Sequence, residues 1–113
     1  MSVVSKNNAE HYIWGGNVDS WHLAKSPKLS VIEECIPSAA SETKHYHNET
    51  EQFFYVLSGT ANFEINNKQH KIECNQGIYV PAKALHKIWN SNQQELRILV
   101  ISTPPSLIDR VDV

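Results

Sequence analysis

Apolar and polar residues alternate along this chain in short runs separated by turn chemistry, and no stretch keeps a helical period for three full turns. Alternation at every second residue gathers one set of side chains on one face of a strand, so the pattern predicts an all-β domain. Strands are expected near Trp21–Ala24, Leu29–Ile36, Thr43–His47, Gln52–Leu57, Thr60–Ile65, Lys68–Cys74, Ile78–Val80, Leu85–Trp89 and Leu96–Ser102. The sharpest local signal is Asn66-Asn67, because asparagine tolerates the positive φ of a two-residue hairpin. Such a turn sets Ile65 opposite Lys68, Phe63 opposite His70 and Ala61 opposite Ile72. Thr103-Pro104-Pro105 ends the last strand, since proline donates nothing to a ladder, and leaves 103–113 as a C-terminal tail. Residues 1–19 read as an irregular N-terminal segment with a turn at Gly15-Gly16.

A chain of 113 residues is expected to form one domain, 1–113, around one core. The formal net charge is −2 and lysine and arginine form no run, so nucleic acid and anionic membrane are poor partners. Met1 to Asn8 is polar and the longest strongly apolar run is Ile98 to Ile101, which predicts a soluble, cytoplasmic protein. Cys35 and Cys74 are too few for a disulfide framework and are expected to be reduced and structural.

The candidate chemistry sits in histidines. His45 and His47 share one face of a strand, so both imidazoles can address one ion, and His86 offers a third from a separate segment after a proline turn. Imidazole ligands favour one divalent transition metal (Fe, Mn, Ni, Cu or Zn) over calcium or magnesium. Tyr46, between the pair, points away. His11 and His22 are expected to be non-ligands, and His70 to be packed or half-exposed beside Phe63.

These segments resemble a known family. His45-Tyr46-His47-Asn48-Glu49-Thr50-Glu51-Gln52 followed by Gly59 is similar to the first cupin motif, which runs His-x-His, three or four residues, Glu, six residues, Gly. Asn75, Pro81, Lys83, His86 and Asn90 resemble the second, Gly-x5-Pro-x-Gly-x2-His-x3-Asn. The motif region covers 44–90, and the wording of Gln52 to Gly59 is similar to small single-domain bacterial cupins of the RmlC-like type. The resemblance implies a double-stranded β-helix, or jelly roll, with a metal held inside the barrel by three histidines and a carboxylate.

At the fourth ligand position the chain departs from that pattern, since Gln52 stands where the family has glutamate. Gln52 shares a face with Phe54 and Val56, whereas Glu51 points with Phe53 and Tyr55, so Glu51 is an alternative only if a bulge re-aims it. Asn75 and Lys83 replace glycines. Phe54, Val56, Phe63 and Ile88 are expected to line an apolar pocket. Lys44, Lys83 and Lys87 would favour an anionic substrate if they ring its mouth. Trp89 falls on the face opposite His86.

Three functions are open at this level. One is a metal-dependent enzyme acting on a small organic substrate, for which dioxygenase-like chemistry is the most natural. The second is a metal-free sugar or nucleotide-sugar isomerase or epimerase using the histidines as acid and base. The third is a non-catalytic cupin that binds a small molecule. A homodimer is the expected assembly.

Overall fold

The computed structural model describes residues 3–106 and 109–113. Eleven strands follow in order: β1 Glu10–Trp14, β2 Val18–Lys25, β3 Ser30–Ile36, β4 His45–His47, β5 Glu51–Ser58, β6 Ala61–Ile65, β7 Lys68–Ile72, β8 Gly77–Val80, β9 His86–Trp89, β10 Leu96–Thr103 and β11 Arg110–Asp112. They form two antiparallel sheets, one of six strands in the order β1-β2-β3-β10-β5-β8 and one of five in the order β11-β4-β9-β6-β7. Sequence neighbours such as β4 and β5 lie in different sheets, as the expected jelly roll requires.

Strand parity explains where the core sits. In β10 the burial alternates strictly, with Leu96, Ile98, Val100 and Ser102 inward, and β5 answers with Gln52, Phe54 and Val56. The registers Ile98↔Val56, Val100↔Phe54 and Ser102↔Gln52 stack these side chains in rows across the sheet. From the facing sheet come Phe63 and Ile88, which are directly paired and almost wholly buried. Phe54 and Phe63 meet edge to face at 5.0 Å between ring centres, joining the two sheets at the centre.

The β6–β7 hairpin has the expected register, and Asn66 and Asn67 adopt φ of 49° and 67°. Gly59 turns the chain from β5 to β6 at φ 88°, where a Cβ would lie 2.8 Å from the Glu95 carbonyl oxygen. Only glycine fits that backbone and that contact.

Two expectations need correction. The N-terminal segment is not irregular throughout, because Glu10–Trp14 pairs with Val18–Lys25 around the Gly15-Gly16 turn. Its alternation of Tyr12 and Trp14 with exposed His11 and Ile13 is a half-buried strand that spans too few residues to stand out in sequence. The C-terminal tail likewise contains β11, which pairs with β4. Met1, Ser2, Leu107 and Ile108, which fall in these two expected segments, lie outside the described residues. Among the described residues no helix is long and apolar enough to cross a membrane.

Candidate metal centre

The short β4 carries His45 and His47 inward, and its one pairing with β9 sets His45 directly opposite His86. All three imidazoles are almost wholly buried. Ring centres lie 4.3 Å apart for His45 and His86, 5.0 Å for His45 and His47, and 5.6 Å for His47 and His86. One ring nitrogen from each lies within 4.8 Å of the others, a group that could hold a metal ion.

The other ring nitrogen of each is engaged. His45 Nδ1 lies 2.7 Å from the Thr43 carbonyl, His86 Nδ1 2.9 Å from the Ala84 carbonyl and His47 Nδ1 3.2 Å from Asp109 Oδ1. These oxygens can only accept, so each Nδ1 carries the proton and each neutral ring keeps its lone pair on Nε2. His47 Nε2 is buried with no hydrogen-bond partner. An unpaired buried acceptor costs about 1–3 kcal/mol, and converging imidazole lone pairs with outer hydrogen bonds to oxygen are the donor set of a metal site.

Gln52 joins them across the barrel. Its Nε2 donates to Ser102 Oγ at 3.0 Å, which turns Oε1 toward His86 Nε2 at 3.1 Å. With the amide in this orientation both atoms present a lone pair to the same space, an arrangement that suits a positive centre between them. Burial pushes the His86 pKa down to about 4, so at neutral pH a ring proton does not fill that role. A divalent cation does, and the residues present therefore fit one. Burial also lowers His45, to about 3, and His47, whose fall is opposed by the Asp109 carboxylate. The rings are thus neutral and ready to ligate without first losing a proton.

The facing wall holds polar residues that the sequence reading did not single out. Tyr12, Ser20 and Glu34 stand in one row across β1, β2 and β3. Trp14 Nε1 donates to Glu34 Oε2 at 3.1 Å. Glu42 lies on the histidines' own side, just before β4 and beside β9, where the Ile88 backbone N–H donates to its Oε1 at 3.2 Å and its own N–H donates to the Ile88 carbonyl at 3.1 Å. Burial raises Glu34 to about 7, and burial together with the charge of Glu34 raises Glu42 to about 8. Ser20 is fully buried between Tyr12 and Glu34. On β11, Arg110 pairs with His47 and Asp112 with His45, which puts both on the histidine face, and Arg110 Nε donates to Asp112 Oδ1 at 2.7 Å. Glu34 was detectable by parity, since Ile32, Glu34 and Ile36 share a face. Arg110 and Asp109 had no such signal, because no periodicity marks β11.

The remaining candidates are distributed as follows. Phe54, Val56, Phe63 and Ile88 are buried inside the barrel, and Phe63 stacks on His86 at 5.9 Å. Glu51 is exposed on the outer face, where Tyr79 Oη donates to it at 3.2 Å. Tyr46 faces away from the histidines. Lys44 pairs with Glu64 at 2.7 Å and Lys87 covers the Trp89 ring at 5.2 Å, so these two cations lie on the outside of the five-stranded sheet. Lys83 is exposed at φ 71°, and its N–H donates to the His47 carbonyl at 2.7 Å. Asn75 is likewise left-handed, at φ 67°. Asn90 holds the turn before β10, donating to Ile36 O at 3.0 Å and Gln94 O at 2.8 Å. His11 contacts Asp19 at 2.8 Å, His22 stacks on Tyr12 at 5.1 Å, and His70 sits half-buried opposite Phe63.

The family pattern described as "Cupin domain" matches residues 31–102. An uncharacterised protein of Methanocaldococcus jannaschii is 31% identical over 84 residues, covering 74% of this chain and 67% of that protein. Two further curated relatives, from Streptomyces, are matched over only 41% and 40% of their length. Among solved structures, the polyketide cyclase RemF from Streptomyces resistomycificus superposes with a TM-score of 0.86 at 17% identity, over 100% of this chain and 85% of that one. A putative sugar phosphate isomerase from Acidithiobacillus ferrooxidans superposes with a TM-score of 0.73 at 24% identity, over 85% and 67% of the two chains. With the motifs, the two facing sheets and the histidine cluster in agreement, the chain belongs to the cupin family.

Proposed function

We propose that this cupin is a metal-dependent enzyme that transfers protons on a small, oxygen-bearing organic substrate, as in an isomerisation or a cyclisation. The observation that carries the reading is the buried trio of Nε2 lone pairs, joined by Gln52 Oε1, with the Glu34 carboxyl on the facing sheet and the Glu42 carboxyl beside β9. His45, His47, Gln52 and His86 would hold one divalent transition metal among Fe, Mn, Ni, Cu and Zn. When bound, it would supply a Lewis acid that polarises a carbonyl or enol oxygen of the substrate. Gln52 contributes an oxygen without a negative charge, so less of the ion's charge is neutralised than with glutamate, which suits an anionic substrate.

The chain's own residues supply the acid–base part. A group with a pKa near neutrality both gives and takes a proton readily, and Glu34 and Glu42 are held there by burial. Phe54, Val56, Phe63 and Ile88 pack in the core beside the histidines and keep water from the ring nitrogens. Arg110, on the histidine face of β11, would attract an anionic group. Dioxygenase-like chemistry needs no protein acid, so two tuned carboxyls favour proton transfer over oxygenation. The two named structural neighbours, a polyketide cyclase and a putative sugar phosphate isomerase, support the same preference. A cytoplasmic site of action agrees with the two free thiols, Cys35 and Cys74. A homodimer would cover the outer face of the six-stranded sheet, where Phe53 and Tyr79 are 38% and 54% exposed.

The test is solvent exchange. Metal-loaded protein is incubated in D2O with a panel of sugar phosphates and β-dicarbonyl compounds while NMR follows deuterium and an electrode follows oxygen. Deuterium entering a carbon beside a carbonyl without oxygen uptake, and falling at least tenfold in Glu34→Gln, is the expected result. Oxygen uptake in step with product would move the assignment to a dioxygenase. Neither signal across the panel would favour a non-catalytic binding module.

A further inference from the structure

We propose that Asp109 is a positioning residue: it sets the tautomer of His47 and so makes the metal-binding competence of the barrel depend on docking of the C-terminal segment. The inference rests on the metal-site reading above. His45 and His86 orient their rings through main-chain carbonyls two residues away, so their tautomers are fixed by the loops that lead directly into their own strands. His47 has no such local partner, and the groups beside it, the Asp109 carboxylate and the Ser106 main chain, both come from the C-terminal segment. Its Nδ1 donates to a carboxylate 62 residues along the chain, brought alongside by the pairing of β11 with β4.

Asp109 is itself held in one orientation. Its Oδ2 accepts from the backbone N–H groups of Glu49 at 2.7 Å and Thr50 at 3.0 Å, while Oδ1 accepts from Thr50 Oγ1 at 3.1 Å and from His47 Nδ1. Val113 N–H closes the segment by donating to the Lys44 carbonyl at 3.0 Å. Four donors converge on one carboxylate, and a group that accepts from both N–H and imidazole must be acceptor on both oxygens. Asparagine has one acceptor and one donor. With its oxygen kept by the two backbone N–H groups, the amide nitrogen of an Asp109→Asn protein faces His47 Nδ1 and donates to it. The ring proton then moves to Nε2, the atom that must be free to ligate.

The experiment uses full-length protein. Long-range 15N–1H NMR of metal-free protein reads each histidine tautomer, and titration with Zn2+ alone reads affinity. Wild type is expected to carry the proton on Nδ1 at all three rings. Asp109→Asn is expected to carry it on Nε2 at His47 only, with Zn2+ binding about 10- to 100-fold weaker. Thr50→Val, which removes one bond to Asp109 but leaves the His47 contact, should keep the wild-type tautomer and affinity within about twofold. A wild-type His47 protonated on Nε2, or an Asp109→Asn protein with unchanged tautomer or unchanged Zn2+ affinity, would overturn the proposal. The wild-type measurement keeps it refutable even if the asparagine protein does not fold. Nδ1 protons at all three rings with no Zn2+ binding by wild type would instead sink the metal reading and leave the positioning of His47 standing.

Discussion

Replacing Glu42 by glutamine should stabilise the metal-free protein, and only above about pH 5. The folded-state pKa of Glu42 is about 8 against 4.5 for an unburied glutamate, raised by burial and by the neighbouring Glu34. The native state therefore holds a proton that the unfolded chain has lost, so the stability this group contributes is complete below pH 4.5, falls as pH rises to about 8 and is flat beyond. At about 1.4 kcal/mol per pH unit the ceiling is about 5 kcal/mol. Relaxation around a buried charge and shared titration with Glu34 bring the expected effect to about 2–3 kcal/mol. Glutamine keeps the size and an oxygen for the Ile88 N–H while removing the titration. Thermal melts in chelator should give equal Tm values for Glu42→Gln and wild type near pH 5. At pH 9 the variant should melt about 10 °C higher, taking about 4 °C per kcal/mol for a domain of this size. The three buried histidines act in the opposite direction, losing stability as pH falls below 6.5, and do so equally in both proteins. A variant less stable at pH 9, or a Tm difference independent of pH, would refute the assignment of Glu42 as a half-buried, proton-holding group.

Three further outcomes follow from particular contacts. Phe63, with no exposed surface, fills the space between Phe54, Ile88 and His86, so Phe63→Ala should cost about 3–5 kcal/mol in urea unfolding; a loss below 1 kcal/mol would place the core elsewhere. Lys83 is left-handed and exposed, so Lys83→Gly should raise stability by about 0.5 kcal/mol, relief of the backbone outweighing added freedom in the unfolded chain; a loss would count against that conformation. Sedimentation should give twice the mass of one chain, and Phe53→Lys with Tyr79→Lys should return it to a monomer, whereas a monomeric wild type would remove the proposed interface.

Strand parity made most of the barrel legible before any coordinates. The β10 alternation and the Asn66-Asn67 hairpin are local signals, and both appear as read. The histidine cluster was legible for the same reason: His45 and His47 share a face by spacing alone, and a turn at Pro81 delivers His86. What stayed hidden depends on contacts between distant segments. β1 carries apolar Tyr12, Ile13 and Trp14 on both faces and β11 has only three residues, so neither shows alternation in sequence, and nothing local announced that Asp109 would reach His47 or that Arg110 would face the site. Lys44 and Lys87 lie outside the barrel because neighbours in sequence alternate between the two faces of a sheet, and Lys83 is exposed in the turn before β9.

The central claim is that one ion is held by His45, His47 and His86 Nε2 with Gln52 Oε1. Anomalous diffraction from crystals of protein loaded in turn with Mn2+, Ni2+ and Zn2+ tests it most directly. For at least one metal, a single strong peak is expected at ligand-bond distance from all four atoms. Peaks absent from the barrel for every metal, or found only at surface carboxylates, would contradict it.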